Sequence, residues 1–155
     1  MGLLRCWQAP GRGLGQTTTG IGRRSYDRDV STSPVAVVIE DELDLRELTE
    51  IMLTQCGFEV VTADDGPSGI QAVRDHDPVL TTLDVTMPGM DGYTVAERLR
   101  EFSQTHILMI TGQVDQADVR RAFDAGADDY LAKPFSGRDL RSRARSALEH
   151  SRSST

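Results

Sequence analysis

In Val79-Leu-Thr-Thr-Leu-Asp84-Val-Thr-Met-Pro88-Gly-Met-Asp-Gly92, a short apolar run ends on a carboxylate and breaks into a loop of proline and glycine. An aliphatic and β-branched run of this length, without a helical period, suits a strand buried on both faces of a parallel sheet. In open α/β sheets, ligands sit just beyond the carboxyl ends of such strands. Asp84 lies at that end, and the Met87-Pro88-Gly89 turn stops the strand from continuing past it. The competing reading is a turn-capping aspartate, a common use of the residue.

Similar runs lie on either side. Val35-Ala-Val-Val-Ile39 is a second buried-strand run and delivers Glu40-Asp41-Glu42 at its end. Leu45, Leu48, Met52 and Cys56 then recur at helical spacing with Arg46, Glu47 and Glu50 between them, and Gly57 closes that helix. Phe58–Thr62 reads as a strand, and Asp64-Asp-Gly-Pro67 opens a helix that buries Ile70 and Val73 and uses the small Gly69 to lie close to the sheet. His76-Asp-Pro78 stops it. Beyond Gly92, Val95, Leu99 and Phe102 form the apolar face of a third helix, with Glu97, Arg98 and Arg100 turned outward.

His106–Ile110 is a fourth strand, delivering Thr111-Gly112. A helix burying Val119, Ala122 and Phe123 follows and closes at Gly126, and the short strand Tyr130-Leu-Ala132 delivers Lys133-Pro134. Ser136 and Asp139 have the spacing of a capping box, opening a last helix through Leu140, Ala144, Ala147 and Leu148. Five strands alternating with five helices across short loops call for a doubly wound parallel sheet with right-handed crossovers. All strand carboxyl ends then share one edge, where Glu40, Asp41, Asp84, Thr111 and Lys133 converge.

Composition bounds the rest. The 155 residues make one domain and a little more. Residues 1–33 hold five arginines against two aspartates, giving +3 and leaving −10 of the net −7 on the remainder. Rich in glycine and without an apolar period, they read as a disordered basic extension, with the folded domain over 34–150 and a disordered tail over 151–155. Cys6 and Cys56 form neither a metal-ligand spacing nor a disulfide framework, so a reduced, cytoplasmic chain is expected. No apolar run approaches the length of a membrane span. The acidic balance argues against direct nucleic-acid binding.

Clustered carboxylates repel one another and are stable as a set when a hard cation sits among them. Mg²⁺ suits them, because it prefers oxygen ligands, needs only one or two carboxylates and accepts phosphate oxygens. An aspartate beside that ion can attack a phosphoryl group and form an aspartyl-phosphate. Lys133 would neutralise the phosphoryl oxygens and the Thr111 hydroxyl would donate to one of them. Lys133 is the only lysine in a chain that otherwise uses arginine, which suggests a required compact charge.

Four fragments in order carry a resemblance: the pair Glu40-Asp41, Leu83-Asp84-Val-Thr-Met-Pro-Gly-Met-Asp-Gly92, Thr111-Gly112, and Asp128-Asp-Tyr-Leu-Ala-Lys133-Pro-Phe135. Residues 34 to about 150 resemble a stand-alone response-regulator receiver domain of two-component signalling. The resemblance implies a flavodoxin-like sheet of strand order 2-1-3-4-5. It implies that Asp84 accepts a phosphoryl group from a sensor histidine kinase or phosphotransfer protein, the domain catalysing only its own phosphorylation and dephosphorylation. It further implies Mg²⁺ on Asp41, Asp84 and the Thr86 carbonyl, with Glu40 acting mostly through water.

Thr111 and Tyr130 would form the switch, Thr86 and Gln113 would tune the lifetime of the phosphoryl group, and Lys133-Pro134 would be cis. Gly112 stands where the family more often has alanine. Output would pass to a downstream protein, or to a phosphorylation-dependent homodimer, through the face of the fourth helix, fifth strand and fifth helix. Arg120, Arg121, Arg138, Arg141, Arg143 and Arg145 lie there. The alternative is a phosphorylation-independent interaction module of the same fold. A haloacid-dehalogenase-type phosphatase would need a second aspartate where Thr86 stands, and a flavodoxin's phosphate would be repelled by Glu40-Asp41-Glu42.

Overall fold

A computed structural model of the protein describes residues 33–112 and 115–153. Its elements are β1 (Val35–Ile39), α1 (Leu43–Gln55), β2 (Glu59–Ala63), α2 (Gly66–His76), β3 (Leu80–Asp84), α3 (Gly92–Arg100), β4 (His106–Thr111), α4 (Gln116–Asp124), β5 (Asp129–Ala132) and α5 (Gly137–Ser153). The five strands form one parallel sheet in the order β2-β1-β3-β4-β5. Strand β3 lies at the centre with every residue buried, and Asp84 is its last residue. Residues 1–32, which include nearly all of the expected basic extension, lie outside the described residues, as do Gln113 and Val114.

The period of two along each strand sorts the core into two layers. Val37, Ile39, Leu83, Ile107 and Met109 pack with Val73, Tyr93, Val95, Leu99 and Ala122, the layer of α2, α3 and α4. Ala36, Val38, Leu80, Leu108, Ile110 and Leu131 pack on the other face with Leu53, Leu140, Ala144, Ala147 and Leu148, the layer of α1 and α5. Gly69 is required by the first layer, since a Cβ there would sit 2.4 Å from Ile39 Cδ1. Gly57 and Gly126 close their helices at φ 97° and 115°. At the start of α5, Ser136 Oγ accepts from Asp139 N at 3.1 Å, and an Asp139 carboxylate oxygen lies 3.4 Å from Ser136 N, the two halves of the expected capping box.

Several expected faces differ. In α1 the buried residues are Thr49 and Leu53, whereas Leu48 is 45 % exposed. The Thr49 hydroxyl donates to Leu45 O at 2.8 Å, so a polar side chain takes a core position without leaving an unmade hydrogen bond. In α4 only Ala122 is buried and Phe123 faces outward. Phe102 lies past the end of α3, with the Arg74 guanidinium 4.1 Å over its ring. Helix α5 runs through Ser153, so residues 151–153 continue it rather than forming a tail.

Arg100, expected to face solvent, turns inward. Its guanidinium donates to the carbonyls of Gly126, Ser103 and Thr105 at 3.0, 3.2 and 2.7 Å and pairs with Asp128, whose carboxylate also accepts from Ile107 N at 2.9 Å. One side chain thereby ties the end of α3 to the leading ends of β4 and β5. Arg100→Ala is expected to cost about 2–3 kcal/mol, because bonds to a charged donor are lost and their acceptors stay partly buried. Urea denaturation of the two proteins measures it.

Candidate phosphoryl-acceptor and metal site

Each functional side chain arrives at the carboxyl edge of the sheet on the end of its own strand. Glu40 and Asp41 follow β1, Asp84 ends β3, Thr111 ends β4 and Lys133 follows β5. Glu40 and Asp84 are each 5 % exposed, while Asp41 is open to solvent. One carboxylate oxygen from each of the three can be chosen so that all lie within 4.8 Å of one another. Lys133 Nζ stands 3.2 Å from Asp84 Oδ1 and 3.6 Å from Glu40 Oε2, so one ammonium is shared between two buried carboxylates.

The loops are fixed from several directions. Glu42 N donates to Glu40 Oε1 at 3.2 Å, and Arg46, reaching back from α1, donates to the Glu40 carbonyl at 2.9 Å. Beyond β3, Asp91 caps α3 by accepting from Thr94 N at 2.9 Å, and Gly92 N donates to Val85 O at 2.8 Å. Gly92 lies against the backbone of the site: a Cβ there would meet Asp84 O at 2.4 Å. Lys133 N donates to Thr111 O at 2.8 Å, joining the ends of β4 and β5, and the Lys133-Pro134 peptide is cis.

The charges are not balanced. Burial pushes the Glu40 carboxyl from 4.5 up to about 7, reinforced by the nearby Asp84 charge and opposed by Lys133. Asp84 is also raised, chiefly by burial and against the pull of Lys133. A single ammonium therefore undercompensates the cluster. Three carboxylates in that condition, one reachable from solvent, are a donor set that fits a hard divalent cation.

Of the other expected site residues, Thr111 is buried, and Thr86 is exposed with its N–H 3.4 Å from Asp84 Oδ1. Tyr130 is half-buried in β5, beside Met109 of β4. Its hydroxyl is raised by burial and by Asp118 and Asp115, so the ring lies near the acidic side of α4. Gln113 lies outside the described residues. A Cβ at Gly112 would meet nothing within 4 Å, so the glycine is not sterically required. The expected basic rim is partly committed: Arg143 pairs with Asp129 at 3.1 Å, and Arg121 lies 4.1 Å over the Tyr93 ring. The roles of Arg46 and Gly92 were not apparent in the sequence, although Arg46 stands one helical turn from the acidic loop.

A doubly wound sheet of this order, with an acidic cluster at its carboxyl edge closed by one lysine, defines a CheY-like receiver-type α/β domain. Residues 36–145 match the family model for the response regulator receiver domain. The chain is 37 % identical over 128 residues to a "Probable transcriptional regulator ycf27" of Guillardia theta, covering 83 % of this chain and 50 % of that one. It is 40 % identical over 115 residues to the transcriptional regulatory protein AfsQ1 of Streptomyces coelicolor, covering 74 % and 51 %. Among solved structures, the chemotaxis protein CheY4 of Vibrio cholerae superposes with a TM-score of 0.71 at 24 % identity, covering 75 % of this chain and 99 % of that one, a likeness of fold.

The chain belongs to the response regulator receiver domain family of two-component signalling. It spans about half the length of the curated relatives it matches. Those relatives are named as transcriptional regulators, which leaves the expectation of no direct nucleic-acid contact without support. Among the described residues no helix is long and apolar enough to cross a membrane.

Proposed function

We propose that this domain accepts a phosphoryl group on Asp84 from a phosphohistidine of a sensor histidine kinase or phosphotransfer protein, in a Mg²⁺-dependent reaction, and thereby changes its binding to a downstream partner. The observation that carries this reading is Asp84, almost wholly buried at a strand end, with Lys133 Nζ at 3.2 Å. An Asp84 carboxylate oxygen attacks phosphorus as the P–N bond breaks, and the electron pair of that bond stays on the donor imidazole. Lys133 stabilises charge on the transferred oxygens, and the Thr111 hydroxyl donates to one of them.

Asp41, Asp84 and the Thr86 carbonyl would hold the cation, with Glu40 behind them through water. Bound there, Mg²⁺ supplies positive charge that offsets the carboxylates and the phosphoryl oxygens. Thr111 and Tyr130 would then pass the change to the surface of α4, β5 and α5, where a downstream protein or a second phosphorylated copy would dock. Thr86 and Gln113, two residues beyond Asp84 and Thr111 in the sequence, would set the signal's lifetime. Incubation with acetyl phosphate and Mg²⁺ should add the mass of one phosphoryl group to the wild type and none to Asp84→Asn. A wild type that stays unmodified would overturn the reading.

The raised Glu40 carboxyl gives a pH test. Its folded value of about 7 lies above its ordinary 4.5, so its contribution to stability is full below 4.5 and lost as pH rises through about 7. The metal-free domain should therefore lose about 5 °C or more in Tm between about pH 5 and about pH 8, roughly the effect of one kcal/mol in a domain of this size. Mg²⁺ should restore most at the higher pH, where the carboxylates are ionised. Differential scanning calorimetry with Glu40→Gln as reference measures both effects.

A further inference from the structure

At the edge of the sheet opposite the acidic cluster, the first residue of β4 meets the last turns of α5. Both ring nitrogens of His106 are shielded from solvent there and have no hydrogen-bond partner among the described residues. A neutral imidazole carries one donor and one acceptor, and leaving each buried and unpaired costs about 1–3 kcal/mol. The His150 ring of α5 closes over it edge-on, with centroids 6.0 Å apart and planes at 64°. Beside the pair lies a cavity of about 290 Å³, walled by Ala147 and His150 of α5 and by Asp77, Pro78 and Gln104.

We infer that this contact is a proton-operated latch: with His106 neutral, the end of α5 lies against the start of β4, and a proton taken up by His106 releases it. The groups facing the ring decide the direction. Asp128 and Asp129, at the leading end of β5, favour the proton, while His150 of α5 and Arg100 of α3 oppose it. Burial outweighs them all and holds the imidazole below the ordinary histidine value. Both carboxylates are already engaged, Asp128 by Arg100 and Ile107 N, and Asp129 by Arg143. Asp77 lines the cavity and is exposed. Among the described residues, an imidazolium at 106 thus meets no uncommitted carboxylate within the packed layer and must reach solvent.

Only one wall can yield. Strand β4 is paired on both sides, with β3 and β5, whereas the end of α5 is held on one face alone, with Glu149, His150 and Ser151 exposed. The sign follows: the contact is intact above the ordinary histidine pKa of about 6.5 and weakens as pH falls from there through the depressed folded value. Because α5 belongs to the proposed output face, the latch would make that face sensitive to acidification. The sensitivity of the output face rests on the proposed function, but the latch itself is measured without phosphorylation, so either can fail alone.

Amide hydrogen exchange tests it, corrected for the intrinsic pH dependence. Between about pH 7 and about pH 5, the amides from Ala147 to Ser151 should lose protection about fivefold or more, the low end of coupling between protein sites, while Ile107–Ile110 stay protected. In His106→Leu the loss should disappear; His106→Gln serves if the leucine variant does not fold. An NMR titration of His106 in the wild type should have its midpoint below about 6.5. Protection that is flat in the wild type, an equal loss in the variants, or a midpoint at or above the ordinary value would each overturn the latch.

Discussion

Lys133→Ala should take up phosphoryl groups about 100-fold more slowly than the wild type, the scale on which removing one charge-stabilising donor slows a reaction in a shielded site. Lys133 Nζ lies between Asp84 and Glu40, and the side chain is only 25 % exposed, so water replaces it poorly. Two consequences separate. The transferred oxygens lose their protein cation, which slows transfer. Glu40 and Asp84 also lose the charge that holds their carboxyls down, so the metal-free variant should show the steeper loss of stability with pH. Lys133→Arg should not restore the rate, since a planar guanidinium does not fit where a compact ammonium is shared. Initial rates with acetyl phosphate, with circular dichroism to verify folding, measure the effect. A rate within about twofold of wild type would remove Lys133 from the chemistry.

Gly92→Ala should damage fold and function together. The added Cβ would lie 2.4 Å from Asp84 O and 2.8 Å from Val85 Cα, and these are backbone atoms that no rotamer change can move aside. Relief requires the end of β3 or the start of α3 to shift, at a cost of about 1–3 kcal/mol or more. Since the displaced atoms are the backbone of Asp84 and of Val85 beside it, phosphoryl uptake should fall beyond what the lost stability explains. Gly112→Ala is the matched control: nothing lies within 4 Å of its Cβ, and its stability should change by no more than about 0.5 kcal/mol. Guanidinium denaturation with uptake assays on the folded variants would distinguish the two positions.

Much of this was legible in the chain. The strand runs ending at Ile39 and Asp84 are apolar because both faces of a parallel sheet are covered, so their ends, and the carboxylates beyond them, could be placed by residue type alone. Gly69 was legible for a similar reason, as a small residue on a helix that must lie close to a strand. Helix faces were harder. Thr49 is buried because its hydroxyl bonds one turn back, and Leu48 and Phe123 are exposed because α1 and α4 carry more apolar residues than their packing faces cover. Spacing records where apolar residues recur but not how much surface awaits them. Gly92 could be read as a helix start, but not as a residue lying on the Asp84 carbonyl. Arg100 and Arg46 read as solvated charges because, the Asp128 carboxylate apart, the acceptors they reach are carbonyls, which every residue has and no sequence marks.

Phosphorylation of the isolated chain by a phosphohistidine donor, followed by mapping of the base-labile label, tests whether Asp84 is the phosphoryl acceptor. A single acyl phosphate on the peptide carrying Asp84 is expected, formed only with a divalent cation present. Label on any other side chain, or transfer that proceeds equally in Asp84→Asn, would contradict it.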